Sequence, residues 1–453
     1  MRPSRREFVA GVAALSAAAC PAEKPRRDAG ERTPRNLLVL LADDMGGRDL
    51  GCYGNRDVRT PRLDALAAGG MRFERAYTAV GVCQPSRSSL YTGMYPTRHG
   101  AMGFDPIRKD IATWPELLRE QGVATAMIGK LDVDPLAKFP FEHLVKANEM
   151  SSRRAGDVWE RHFRDFLSRA HRRRFAAVVG LVDPHRPFDE LKPATGPDAA
   201  ALSVPKSLWD CAGTRSELAQ YYGCIERLDA TIARLMAALE EYGHADDTLV
   251  IFTADNGPSF PFAKATLYEA GVRMPMIAHG PGIARGTSSE FVGLIDLLPT
   301  ALDVFGASPR ELDGRSLLPT LHRGRPMGRP GFVTMQNKNN RESSRPSRAF
   351  NGRRYKYIRN FGEDSADVSN VVGHTATWES GRELAQSDAA VAQRMRQYLY
   401  RPSEELYDLE DDPCELANLA DLPGHAAMRD AMRSALRDWM VKNSDPLLAE
   451  WGE

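Results

Sequence analysis

The sequence predicts an α/β fold: a mostly parallel sheet flanked by helices, with a smaller α+β subdomain at the carboxyl end. Three observations predict it. Four apolar runs are continuous rather than alternating, amphipathic segments stand between them, and the pattern changes character after about residue 330. The runs at 36–42, 123–128, 175–182 and 248–253 each read as a strand buried on both faces. Before the second run, Thr113 reads as a helix N-cap, with Pro115 in the first turn and Gly122 past the end. Between the third and fourth, Tyr221, Tyr222, Ile225, Leu228, Ile232, Leu235 and Leu239 recur at helical spacing, and Gly243 stops the helix. Strands alternating with helices argue for a parallel sheet covered on both faces. Ligands then gather beyond the carboxyl ends of the strands. Polar clusters stand at those ends: Asp43-Asp44 after the first run, Asp183-Pro184-His185 after the third, Asp255-Asn256-Gly257 after the fourth. Past residue 330, residues 353–359 alternate charge with apolar groups as an antiparallel strand does. Met428, Met432, Ala435, Leu436 and Trp439 then line one face of a last helix. The expected organisation is an export signal and tether over 1–33, a main catalytic domain over 34–330 and an α+β subdomain over 331–453.

Composition narrows the function classes. The 453 residues hold 60 Lys plus Arg against 60 Asp plus Glu, so the chain exerts little global pull on a polyanion, and no nucleic-acid partner is expected. Ser4-Arg5-Arg6-Glu7-Phe8-Val9 resembles a twin-arginine export signal, followed by an apolar run too short to span a bilayer. Export to a bacterial periplasm follows. Cys20, after three alanines, belongs either to a simple cleavage site or to a lipid anchor, and membrane attachment is expected only in the second case. The remaining cysteines (52, 83, 211, 224 and 414) fit no zinc spacing. Cys211 and Cys224 are the one near pair, with a disulfide open between them, while Cys52 and Cys414 are expected as buried thiols. The basic run ending at Arg172-Arg173-Arg174 reads as a solvated helix face rather than a polyanion patch.

The most informative stretch is Cys83-Gln84-Pro85-Ser86-Arg87-Ser88-Ser89-Leu90-Tyr91-Thr92-Gly93. It puts a cysteine directly before a helix start, proline in the first turn and arginine one turn in. The unpaired N–H groups there, the helix dipole and the guanidinium make an anion site beside the cysteine. The second signal is the gathering of Asp43, Asp44, Asp255 and Asn256 at strand ends. Adjacent carboxylates repel, so such a group holds a cation, and all-oxygen ligation suits Ca²⁺ or Mg²⁺ rather than Zn²⁺.

The string Cys-x-Pro-Ser-Arg followed by Leu-x-Thr-Gly resembles the signature of the type I sulfatases, in which the cysteine is converted to formylglycine. The resemblance extends through Gly129-Lys130, Asp183-Pro184-His185, residues 264–271, residues 296–300 and Glu405-Leu406-Tyr407-Asp408-Leu409. It implies the alkaline-phosphatase-like fold. It also implies one Ca²⁺ ligated by Asp43, Asp44, Asp255, Asn256 and the converted Cys83. Asp183-Pro184-His185-Arg186, the stretch from Asp255 to Tyr268, Tyr400-Arg401-Pro402 and the Asp438-Trp439 to Asp445-Pro446 ending look more like the N-sulfoglucosamine sulfohydrolase (sulfamidase) branch than the ester sulfatases.

By that resemblance the catalytic residues are Cys83, Arg87, Lys130, His185 and Lys264. The hydrated formylglycine attacks sulfur, the amine or alcohol leaves, and the aldehyde re-forms as sulfate departs. Lys130 and Lys264 hold the sulfuryl oxygens, and His185 is the candidate proton donor to the leaving atom. The implied substrate is a sulfated sugar or glycosaminoglycan fragment, and a formylglycine-generating enzyme is the implied maturation partner. One departure stands out. Where the family typically reads Gly-Lys-x-His, this chain reads Gly129-Lys130-Leu131-Asp132, a carboxylate beside the anion. Three readings therefore stay open: an N-sulfatase of glucosamine, an O-sulfatase on the same glycans, and a catalytically impaired glycan-binding relative. Arg341 and Glu342 are further candidates for sugar contact.

Overall fold

The structure, a computed structural model, describes residues 33–191, 196–308, 310–337, 345–362 and 372–451. The export signal with Cys20 and the candidate contacts Arg341 and Glu342 lie outside them. Eight strands form the main sheet: β1 (Asn36–Asp43), β2 (Met71–Tyr77), β3 (Ala124–Gly129), β4 (His143–Lys146), β5 (Phe175–Pro184), β6 (Thr248–Ala254), β7 (Arg273–His279) and β8 (Gly286–Gly293). Their order is β4-β3-β5-β1-β6-β7-β2-β8. All pairs are parallel except those of β7, which runs antiparallel to both β6 and β2. The four apolar runs are β1, β3, β5 and β6, adjacent in the middle of the sheet and buried along their whole length.

Alternate residues of these strands serve two different cores. Leu38, Leu40, Val179 and Phe252 pack beneath the Gly156–Ala170 and Ala212–Glu241 helices. Leu37, Val39, Val178 and Ile251 pack on the other side, with Leu90 and Tyr91 of the Cys83–Thr92 helix and Leu298 and Leu302 of the Leu297–Phe305 helix. That two-sided burial is why the runs are continuous. The helix predicted from Thr113 is Trp114–Arg119, closed by a capping box with Glu116. The basic run lies on and after the Gly156–Ala170 helix, where Arg164 pairs with Glu160 and Arg169 with Asp165, a solvated face as expected.

A second, antiparallel sheet begins at Phe332. It comprises β9 (Phe332–Gln336), β10 (Ser347–Asn351), β11 (Tyr355–Asn360) and β12 (Glu404–Asp408), ordered β12-β11-β10-β9. The Ala426–Lys442 helix covers it with Met432, Ala435, Leu436 and Met440. Val80 bridges to Met335, and Tyr77 stacks on Phe332, so this sheet is fastened to the segment that leads into Cys83. Among the described residues all five cysteines are free thiols. Cys211 and Cys224 form no disulfide: Cys224 is buried in the long helix with its sulfur on the Phe188 carbonyl, while the Cys211 sulfur faces Thr214. Cys52 and Cys414 are half-buried rather than buried.

Candidate functional site

The strand ends bring the predicted residues together. Cys83 is the first residue of its helix, not the residue before it, with Val82 as extended N-cap and all ten helical residues buried. Gly93, at φ +66°, ends the helix in the left-handed conformation that glycine takes without penalty. Asp43 ends β1 and Asp44 follows at φ +64°, while Asp255 and Asn256 follow β6; the four are at most 1% exposed. One oxygen each from Asp43, Asp44 and Asp255 lie within 4.8 Å of one another.

Each of these carboxylates has its own cation. Lys130 Nζ donates to both oxygens of Asp43 at 2.9 and 2.8 Å. Lys264 Nζ lies 2.8 and 3.0 Å from the two oxygens of Asp44. Arg87 Nε donates to Asp255 at 2.7 Å, its second terminal nitrogen lies 3.4 Å from Asp43, and its first donates to the Lys130 carbonyl. His185, at the end of β5, puts Nε2 3.6 Å from Asp44 and donates from Nδ1 to the Arg186 carbonyl. Lys130 follows Gly129, whose φ of +107° and whose missing side chain are both required. A Cβ there would meet the Gly180 carbonyl oxygen at 2.3 Å and the Trp159 ring at 2.5 Å.

These contacts set the protonation states. Burial pushes the Asp43 carboxyl up, but Lys130, then His185, Arg87 and Lys264, outweigh it and hold the group well below the usual carboxylate range. Asp44 is likewise held low, burial being overcome by Lys264 and His185. For Asp255 burial prevails over Arg87, with Asp43 adding repulsion, and its carboxyl is pushed up to about 7. Burial also drives the Cys83 thiol far above its ordinary value, despite Lys130 and Lys264. An unmodified Cys83 is therefore a poor thiolate nucleophile.

Two residues join the site that sequence reasoning missed. Ser259 donates to Asp44 at 2.7 Å, from a loop whose ends meet where Gly257 N–H donates to the Gly271 carbonyl at 2.9 Å. Arg154, 1% exposed, donates to Asp183 and to the carbonyls of His185 (2.7 Å) and Pro187 (2.9 Å), fixing the segment that carries His185. The remaining donor set fits a hard cation. Asn256 donates its NH₂ to Asp44 and to the Gly257 carbonyl, yet its buried Oδ1 has no protein partner. An orphan amide oxygen next to a carboxylate of that group is oxygen-ligand chemistry suited to a hard divalent cation.

The sulfatase family model matches residues 35–307. Human N-sulphoglucosamine sulphohydrolase is 32% identical over 465 aligned residues, covering 91% of each chain. An ulvan-active sulfatase of Formosa agariphila is 29% identical, covering 91% of this chain and 81% of its own. A solved structure in complex with its substrate D-glucosamine-2-N,6-O-disulfate shares the fold with TM-score 0.70 at 21% identity, covering 91% of this chain and 99% of the other. A match that runs from β1 through the Leu297–Phe305 helix takes in the whole strand-end cluster, and on it this chain belongs to the sulfatase family, hydrolases of sulfuric esters and sulfamates.

Proposed function

We propose that this chain is an exported sulfatase that removes the N-sulfate of glucosamine from heparan-type glycans, using formylglycine at position 83 and one Ca²⁺. The observation that carries the reading is the likeness to human N-sulphoglucosamine sulphohydrolase over 91% of both chains. Asp43, Asp44, Asp255, Asn256 and the converted Cys83 would hold the ion. When bound, the ion supplies fixed positive charge, and formylglycine supplies a hydrated aldehyde oxygen as nucleophile.

The chain's own residues do the rest. Arg87, locked on Asp255 and reaching Asp43, fixes the amino end of the Cys83–Thr92 helix, whose N–H groups face the anion. Lys130 and Lys264 stand on either side of the acidic group and hold the sulfuryl oxygens as charge builds on them. His185 is the group placed to protonate the leaving atom. A carbonyl can only accept, so Nδ1 keeps its proton on Arg186, and Nε2 is the nitrogen that gives one up. Arg154 holds the His185 backbone at the strand end.

A second reading, an O-sulfatase on related sugars, is favoured by N-acetylgalactosamine-6-sulfatases among the relatives, 29% identical for the human enzyme over 67% of this chain. Sulfate release from N-sulfoglucosamine and from glucosamine 6-O-sulfate separates the two. The protein should carry formylglycine at position 83 by mass spectrometry, with Cys83→Ala as control. Release from the N-sulfated sugar alone is expected; release from the 6-O-sulfate alone establishes the second reading instead.

A further inference from the structure

One carboxylate in the site shares its nearest cation with another. Asp43, Asp44 and Asp255 have Lys130, Lys264 and Arg87 at 2.8, 2.8 and 2.7 Å. Asp132 is the fourth, and its ion pair is a longer one, 3.6 Å to the Lys130 Nζ that Asp43 already holds at 2.8 Å. Its charge is felt at both Cys83 and Arg87. Its backbone is unusual too. Asp132 takes φ +50°, one of seven described non-glycine residues in left-handed conformation, and Asp44, Phe262 and Ala265 of the same strand ends and loop are three others. Such conformations persist where the surroundings enforce them, and they cluster at functional sites. The side chain is a quarter exposed, whereas Asp43, Asp44 and Asp255 are buried.

We propose that Asp132 is a specificity-determining residue that sets the charge of the group the site accepts. It favours a singly charged sulfuryl group (a sulfate ester or a sulfamate) over a doubly charged phosphoryl group of the same shape. The inference rests on the reading of Lys130 as a sulfuryl-oxygen ligand. A sulfate monoester and a sulfamate each carry one negative charge at neutral pH, whereas a phosphate monoester, with its second ionisation near pH 6, carries close to two. The two groups are otherwise near-isosteric and offer the same three oxygens, so shape cannot separate them. A fixed carboxylate beside one of the anion-holding lysines can, because its repulsion scales with the charge it faces.

The test is calorimetric binding of phenyl sulfate and phenyl phosphate at pH 8 to the full-length mature protein and to its Asp132→Asn and Asp132→Gly variants. Asparagine tolerates the left-handed backbone, glycine adopts it freely, and both remove the charge. The wild type should prefer phenyl sulfate. In both variants the ratio of the two affinities should move toward phenyl phosphate by roughly ten- to a hundredfold, the size of one unit-charge repulsion at about 6 Å in a partly buried site. A ratio that stays fixed, or that moves in only one of the two variants, overturns the proposal. Turnover of N-sulfoglucosamine by the same preparations reports on the sulfatase reading separately: an enzyme that cleaves the sugar while its anion ratio ignores position 132 loses only the selectivity role.

Discussion

Two buried clusters of charge can be set side by side in this molecule. At the strand ends, Asp43, Asp44 and Asp255 converge, each with a cation against it: Lys130, Lys264 and Arg87. At the seam between the two sheets, Lys356 of β11 lies between Glu269 and Glu415, 3.1 Å from each. Glu415 also accepts the Glu269 N–H at 2.6 Å, and Glu269 accepts from Tyr77 at 3.2 Å. At the seam the cation is in the middle, so charges of opposite sign alternate. At the site the acids converge on one another, and Asn256 adds an oxygen with no protein partner among the described residues. The first arrangement has its cation within it. The second is complete only with something positive between the acids. Burial of charge is common to both, and the order in which the signs are nested separates a fastening from a site.

The largest effect that could break this comparison is at Asp255. Asp255→Asn keeps the shape and an oxygen for the Asp44 and Asn256 N–H groups, but it removes one of the three converging charges. Turnover of the sulfated sugar should fall by roughly 10²–10³-fold, as when one preorganised charge partner is lost from an active site. Thermal stability should fall only slightly, because relief of the repulsion among the acids offsets the loss of the Arg87 partner, and Arg87 keeps Asp43 at 3.4 Å. An Asp255→Asn protein that unfolds at markedly lower temperature would make the strand-end cluster a fastening like the seam.

The mirror experiment is Lys356→Met. It leaves Glu415 buried without its cation and Glu269 with only Arg273 at 3.6 Å, and should cost about 3–5 kcal/mol in urea unfolding. Turnover per folded molecule should fall far less than in Asp255→Asn. The pair of variants thus exchanges the two losses: activity at the site, stability at the seam.

How much of this was legible in the sequence follows the same division. β1, β3, β5 and β6 announce themselves because both faces are buried, and their ends carried Asp43, Asp44, His185, Asp255 and Asn256 into view. β2 reads as charged, with Arg72, Glu74 and Arg75 inside it, and β8 is exposed or half-buried from Gly286 to Glu290, so neither shows an apolar run. The antiparallel direction of β7, between β6 and β2, is invisible for a different reason: direction is set by partners, not by composition. Ser259 and Arg154 stayed hidden because their roles come from contacts 215 and 31 residues away in the chain, to Asp44 and His185. The seam was wholly illegible. Nothing local in Lys356, Glu269 or Glu415 tells that they meet.

The smallest expected effect sharpens the seam's side of the comparison through pH. Burial, with Glu269 beside it, pushes the Glu415 carboxyl up to about 7 against the pull of Lys356, from an ordinary value of 4.5. Below about pH 4.5 folded and unfolded chains both hold that proton. Between 4.5 and 7 the unfolded chain has lost it and the folded chain has not, so the folded state binds more protons and stability falls as pH rises; above 7 the loss is complete. Glu269 shifts the opposite way. Lys356 and Arg273 overcome its burial and hold it low, so its contribution changes only at pH below its ordinary 4.5 and does not mask this window. Glu415→Gln keeps an oxygen for the Glu269 N–H and leaves Lys356 paired with Glu269, while removing the titrating group. The difference in Tm between Glu415→Gln and wild type should therefore grow in the variant's favour from pH 5 to pH 8. Parallel Tm-against-pH curves would instead mean that Lys356 neutralises Glu415 as fully as Glu269, and that the central cation of the seam serves both carboxylates equally.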